Sequence, residues 1–317
     1  MRGTRCLLAA PLLLAAPFAG AHAPRLASPA PAIGWSFEPW VLCCLLASLL
    51  IYVAGLRRLW RQAGVGRGIG IGRAAAFGGG WLALVLALVS PLDALGGLLF
   101  SAHMVQHEVL MILAAPLLVM GRPLAVWTWG LPRDWRTHAG RLARHRAVAG
   151  TWDVLTHAPA AWALHGLALW AWHLPPCFEA ALRSPAVHSL QHASFFATAL
   201  LFWWPPLGGA SRAGHGSAML YLFTTMVHTG ALGALLTFST VPWYPAYAAT
   251  TPALGFDLLE DQRLGGLVMW VPAGLAYLVV ALAAAARLLQ EEPASAALGA
   301  APRPTATAST RISASHE

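Results

Sequence analysis

Long apolar runs broken by short polar connectors pattern most of the chain. Seven of them approach the ~20 residues that a helix needs to cross a bilayer: approximately 39–57, 75–91, 97–119, 155–174, 187–205, 217–239 and 265–288. The pattern predicts an all-α fold, a polytopic membrane bundle of about seven transmembrane helices occupying 39–288. Ahead of it, residues 1–23 combine early arginines, an apolar middle and the small-x-small ending Ala21, His22, Ala23. That layout is a signal sequence, and an uncleaved anchor shares it. After Gln290 the chain turns to Ala, Ser, Thr and Pro, which predicts a disordered cytoplasmic tail over 290–317.

The connectors differ in charge. Arg57, Arg58, Arg61, Arg67 and Arg73 follow the first run, and Arg122, Arg133, Arg136, Arg141, Arg144 and Arg146 follow the third. The alternate connectors hold Asp93, Glu179, Arg183, Asp257, Glu260, Asp261 and Arg263. The positive-inside rule then sets the N-terminus outside and the C-terminus inside. Composition hardens this picture: 58% hydrophobic and 10% charged residues, with a mean hydropathy of +0.61, exclude an ordinary soluble domain. The formal net charge of +8 rests on arginine alone, and it reads as anchoring at a membrane face; no nucleic-acid partner is expected.

With this topology the histidines can be placed by depth. SAHMVQHEVLMILAAPLLVMGRP, residues 101–123, carries His103 and His107 in the first turns of the third span. His173 closes the fourth span in WAWHLPP, where Pro175 and Pro176 stop the helix. HSLQH opens the fifth span with His188 and His192, and His228 lies near the middle of the sixth. Six histidines from four helices are thus expected to converge near the outer surface. His165 stands deeper, and it and His138 read as interhelical or interfacial hydrogen-bonding residues. Spacing sharpens the reading, because His103 with His107 and His188 with His192 are i, i+4 pairs about 6 Å apart along one helix face. Each pair suits one metal ion. Imidazole serves copper, zinc and haem iron, and thioethers from Met104, Met111, Met226 or Met269 would bias the site toward cuprous ion. Gln106, Gln191, Asp261 and Glu108 are candidates to orient the rings. Opposed histidines would equally ligate haem.

Other chemistry is excluded by order or spacing. HMVQHE has neither the HExxH nor the HxxEH arrangement of the zinc proteases. GVGRGIGIG at 64–72 has no lysine and no dinucleotide fingerprint. Cys6, Cys43, Cys44 and Cys177 form no metal-binding or redox motif. Trp170, Trp172, Trp203, Trp204 and Trp270 read as belt or packing residues.

SAHMVQHEVLMILAAPLLVMGRP, WHLPP, VHSLQHASFFATALLFWW, GALLTFS, PWYPAY and DQRLGGLVMWVPAG occur in order between about 39 and 288. Together they resemble the CtaG-type cytochrome c oxidase assembly factors of bacteria, the multi-spanning kind associated with caa-type oxidases. The resemblance implies a non-enzymatic role in maturing the terminal oxidase in the plasma or inner membrane, by handling copper for its metal centres. It also implies oxidase subunits as partners, and other copper chaperones beside them. It carries over His103, His107, His173, His188 and His192, with Asp261 and Gln262, as the functional set; His228 joins as a metal ligand on depth, and Met104 as a supporting residue. Haem delivery or electron transfer, and a metal-free scaffold, are the alternatives.

Overall fold

Each helix begins or ends where backbone chemistry demands it. The computed structural model describes residues 33–208 and 215–299, and every regular element among them is helical. The signal sequence expected at 1–23 lies outside the described residues. The seven apolar runs lie in helices α1 (Pro39–Ala63), α2 (Ile71–Leu88), α3 (Phe100–Gly121), α4 (Ala158–His173), α5 (Pro185–Leu207), α6 (His215–Thr237) and α7 (Leu258–Gly299). The tail expected after Gln290 is helical as far as Gly299; the rest of it lies outside the described residues.

Five of these helices, α1, α2, α3, α6 and α7, are long and apolar enough to cross a membrane, which makes the chain a membrane protein. The other two differ for distinct reasons. Helix α4 has 16 residues, about 24 Å at 1.5 Å per residue, short of a full hydrocarbon core. Helix α5 has 23 residues, but Ser189, His188, Gln191, His192 and Ser194 dilute its apolar character.

Helix α1 starts at Pro39, whose missing N–H is no loss in a first turn. It ends at Gly64, which adopts φ 94° and returns its N–H to the Trp60 carbonyl at 2.9 Å. Its buried stripe is Val41, Leu45, Tyr52, Gly55 and Leu59, while Leu46 and Leu50 point outward and stay exposed, as lipid-facing side chains do. Tyr52 stacks on Phe77 of α2 with ring centroids 3.5 Å apart and gives its O–H to the Gly121 carbonyl.

Helix α3 is not regular throughout. Val109–Ala114 winds as a π-helix directly after Glu108, a widening common near functional sites. The buried Trp203 of α5 donates its indole N–H to the Met111 carbonyl inside that segment at 2.8 Å. The helix stops where Arg122 takes φ 50°, and Pro123 starts a new helix, Pro123–Gly130, that runs back along α1. Trp127 and Arg58 fasten this return through Nε1 to the Ser48 carbonyl and Nη1 to the Leu131 carbonyl. Two further helices, Arg133–Arg144 and Arg146–Leu155, follow with no buried residue.

Helices α6 and α7 form a tight hairpin because their facing positions lack side chains. A Cβ on Gly233 would stand 2.8 Å from the Gly266 carbonyl oxygen and 2.9 Å from Trp270 Cβ. At the end of the bundle bearing the N-termini of α3, α5 and α7, the connection 239–257 folds inward. It carries Tyr244 and Tyr247, each 1% exposed, into a small aromatic core with Phe100, Met104 and Phe178.

Candidate metal centre

The N-terminus of α3 leaves backbone N–H groups that its own turns cannot use. Asp261 of α7 takes them: one carboxylate oxygen accepts from Phe100 N at 2.7 Å, the other from Ser101 N at 3.2 Å and from Ser101 Oγ. A fully buried carboxylate is thus matched by a helix N-terminus, and the first turns of α3 are held at a fixed position. His103 and His107 follow one and two turns later, 0% and 1% exposed. Helix α4 stops at His173 because Leu174 turns extended before Pro175. Helix α5 starts at Pro185, and His188 N returns to the Ser184 carbonyl, so His188 and His192 fall in its first two turns.

These three helix ends bring five imidazoles together. Ring centroids lie 4.3 Å apart for His103 and His107, 4.1 Å for His188 and His192, 5.3 Å for His103 and His188, and 5.3 Å for His107 and His192. His173 stands 6.4 Å from His107. Ligand nitrogens of His103, His188 and His192 all lie within 4.8 Å of one another. A metal held about 2 Å from each nitrogen needs nitrogens no more than about 4 Å apart, so an adjustment of under 1 Å closes the site.

The tautomers can be assigned from the partners. His173 Nδ1 lies 2.7 Å from the Leu169 carbonyl, which only accepts, so Nδ1 carries the proton and Nε2 keeps its lone pair. His103 Nδ1 lies 3.2 Å from both the Gly96 carbonyl and Tyr247 Oη, and Tyr247 donates its own O–H to Gly96 at 2.8 Å. Burial, the Asp261 carboxylate and Tyr244 push the Tyr247 phenol up, so it stays a donor. His103 Nε2 is therefore also free to ligate. Buried and without a hydrogen-bond partner are His103 Nε2, both nitrogens of His107, His173 Nε2 and His192 Nε2. Carbonyl-oriented imidazoles with open nitrogens are the usual arrangement of metal-binding histidines.

Aromatic side chains wall the cluster. Phe178 lies 5.0 Å from His103 and 6.3 Å from His173, and Phe195 lies 4.6 Å from His107 and 6.0 Å from His173. Tyr244 donates to the His173 carbonyl at 2.7 Å. Gln262 accepts from Trp243 N, which ties the 239–257 connection to α7. Gln106 donates to the Ala87 carbonyl and to Asp93 Oδ1, both at 2.8 Å; Gln191 lies alongside His103 with neither amide atom in hydrogen-bonding geometry. Met104 is fully buried in the aromatic core beside Phe100 and Met269.

His228 is not part of this group. It packs edge-on against Trp162 with centroids 5.4 Å apart, close to Gly166 of α4. The expected convergence of six histidines from four helices is one of five from three, because position 228 lies in the middle of α6, short of the helix end that reaches the cluster. Tyr244, Tyr247, Phe178 and Phe195 follow no metal-ligand spacing. PWYPAY, which holds both tyrosines, was the available signal.

Residues 50–291 match the model of the cytochrome c oxidase caa3 assembly factor family. Among curated relatives, uncharacterised proteins of Mycobacterium bovis and Mycobacterium tuberculosis are each 26% identical over 263 residues, 78% of this chain and 38% of theirs. One of Mycobacterium leprae is 24% identical over 272 residues, 81% of this chain and 40% of its own length. The chain thus spans about two fifths of the length of these relatives. No solved structure matches it. The match covers well over half of the chain and contains every helix that bears a clustered histidine, so the protein belongs to the cytochrome c oxidase caa3 assembly factor family.

Proposed function

We propose that the protein binds copper at the five-histidine cluster and passes it to cytochrome c oxidase during assembly, as a carrier and not as a catalyst of bond chemistry. In this reading the seven helices all span a bacterial plasma (inner) membrane, α4 and α5 included, with the N-terminus outside. The arginine-rich segment 122–155 then lies inside, and the cluster opens near the outer face. The oxidase subunits are the acceptors and other copper chaperones the donors.

The observation that carries the reading is the set of buried, unpartnered imidazole nitrogens on three helix ends. Burying such groups without partners is costly in a membrane, and a soft or borderline cation satisfies several at once. The chemistry that copper supplies there is ligation alone: His103 and His173 hold their protons at Nδ1 and offer Nε2. The aromatic wall favours an ion over haem, since Phe178 and Phe195 occupy the faces between which a macrocycle would have to slide.

The test is to express His107→Ala in cells. Replacing a buried histidine by alanine raises helix propensity and removes a polar group, so protein levels should stay normal while the oxidase loses copper and activity. A fully metallated, active oxidase in such cells would replace this reading by that of a metal-free scaffold; a Soret band in the purified protein would replace it by haem handling.

A further inference from the structure

The stretch between α3 and α4 is amphipathic over most of its length. Its level is set by two glycines: a Cβ on Gly55 of α1 would collide with the Val126 carbonyl, and one on Gly130 of the return helix with the Ile51 carbonyl, so only glycine lets the two backbones touch. That contact lies where α1 passes from the exposed, lipid-facing Leu46 and Leu50 to Arg57 and Arg58. Arg58 Nη1 donates to the Trp129 and Leu131 carbonyls at 3.1 and 2.8 Å. The stretch therefore starts at the boundary between hydrocarbon and head groups. From there Arg133–Arg144 and Arg146–Leu155 run as two helices joined by the extended His145. Trp135, Ala139 and Leu142 share one face of the first by i, i+4, i+7 spacing, and Val148, Trp152 and Leu155 repeat it on the second. At about 100° per residue, Arg133, Arg136, Arg141 and Arg144 all lie roughly 90° or more from the first stripe. An apolar face of this kind normally packs on a core. Here neither helix has a buried residue, and Trp135 and Leu142 are 69% and 63% exposed. Two contacts hold the pair against the bundle: Arg136 sits with Cζ 5.0 Å from the centroid of the Trp129 ring, and Trp152 meets Trp204 of α5 edge-on at 5.0 Å.

We propose that residues 133–155 form an in-plane membrane anchor that binds anionic phospholipid: Trp135, Leu142, Val148 and Trp152 enter the acyl boundary while the arginines grip lipid phosphates. Position decides for a lipid over a protein partner. The stretch leaves the bundle at head-group level, so its apolar stripe has a bilayer beside it before any partner is recruited. Charge decides for an anionic lipid: the stretch carries five arginines against Asp134 and Asp153, and a guanidinium pairs with a phosphate in fork geometry. Helices with an arginine-rich face and tryptophan or leucine opposite lie in the interface in this way. That the leaflet is the inner one rests on the orientation proposed above; the lipid contact rests neither on it nor on copper.

The experiment is hydrogen exchange, read by mass spectrometry, on the full chain in nanodiscs of phosphatidylcholine alone and of equal parts phosphatidylcholine and phosphatidylglycerol. Amides of 133–155 should exchange at least about 10-fold more slowly in the mixed discs, with the difference erased by high salt. Replacing Arg133, Arg136 and Arg144 together by Gln should erase it too, and Trp135→Ser with Leu142→Ser should speed exchange in both discs. Unchanged exchange in α1 and α7 shows that a variant has folded. If the triple change has not, Arg133→Gln with Arg144→Gln, which spares the Trp129 contact, replaces it with the same expected loss of lipid dependence. Equal exchange of wild-type 133–155 in the two lipids would overturn the inference, as would equal protection in lipid-free detergent, which would mean that the stretch packs on its own chain. Protection that appears only when oxidase subunits are added would overturn it in favour of a protein partner.

Discussion

The Tyr247 hydroxyl and His103 Nδ1 stand 3.2 Å apart across 144 positions of sequence, joined through the Gly96 carbonyl that both address. This contact fixes which nitrogen of His103 faces the cluster. Tyr247→Phe should therefore weaken Cu(I) binding about 10-fold, the lower end of what orienting groups contribute. The Gly96 carbonyl still holds the ring, so competition titration should show a weakened site and not a lost one. Unchanged affinity would mean that Gly96 alone orients His103.

Ligands that share one ion do not act additively, because the first loss already opens the site. His103→Ala and His192→Ala should each remove most retained copper from the cluster, and the double variant should resemble either single one. Losses that add would indicate separate sites.

Asp261→Ala leaves the N–H groups of Phe100 and Ser101 buried with no acceptor. Each lost partner costs roughly 1–3 kcal/mol, so a clear fall in the melting temperature of the detergent-purified protein is expected. Asp261→Asn retains one acceptor oxygen and should fall less. Equal melting of wild type and the alanine variant would show that the cap is dispensable.

Trp203→Phe tests the π segment. It deprives the Met111 carbonyl of its indole donor, at a cost of roughly 1–3 kcal/mol for a buried unsatisfied group. Faster amide hydrogen exchange confined to 109–115 is the expected signature; a protected segment would show that the widened turn holds itself.

Much of the helical layout could be read from the sequence, because apolar length alone marks a membrane helix. The paired histidines were equally visible, since i, i+4 spacing needs no tertiary knowledge. What could not be read depends on where helices stop. His228 seemed level with the cluster, but it sits in the middle of a full-length α6, whereas the other five histidines sit at helix ends. The π segment at 109–114 has no periodicity of its own, being held by Trp203 from another helix. The return helix Pro123–Gly130 hides behind an arginine and a proline that look like the start of a loop. Tyr244 and Tyr247 reach the histidines only because a connection with no membrane-helix pattern folds back into the bundle.

The inward stripe of α4, made of Ala161, His165, Leu169 and His173, has a geometric consequence. Positions four apart on an α-helix advance by about 400°, so each step rotates the stripe by about 40°. Over the two steps from His165 to His173 the stripe swings through about 80°, and its neighbours change accordingly: His173 faces His107 of α3, whereas His165 faces Thr198 and Phe202 of α5. The helix works as a short spiral stair whose treads open onto different rooms. Deleting one residue between the two, such as Ala168, would turn the lower tread by about 100° and close one of those doors while leaving every histidine in the chain.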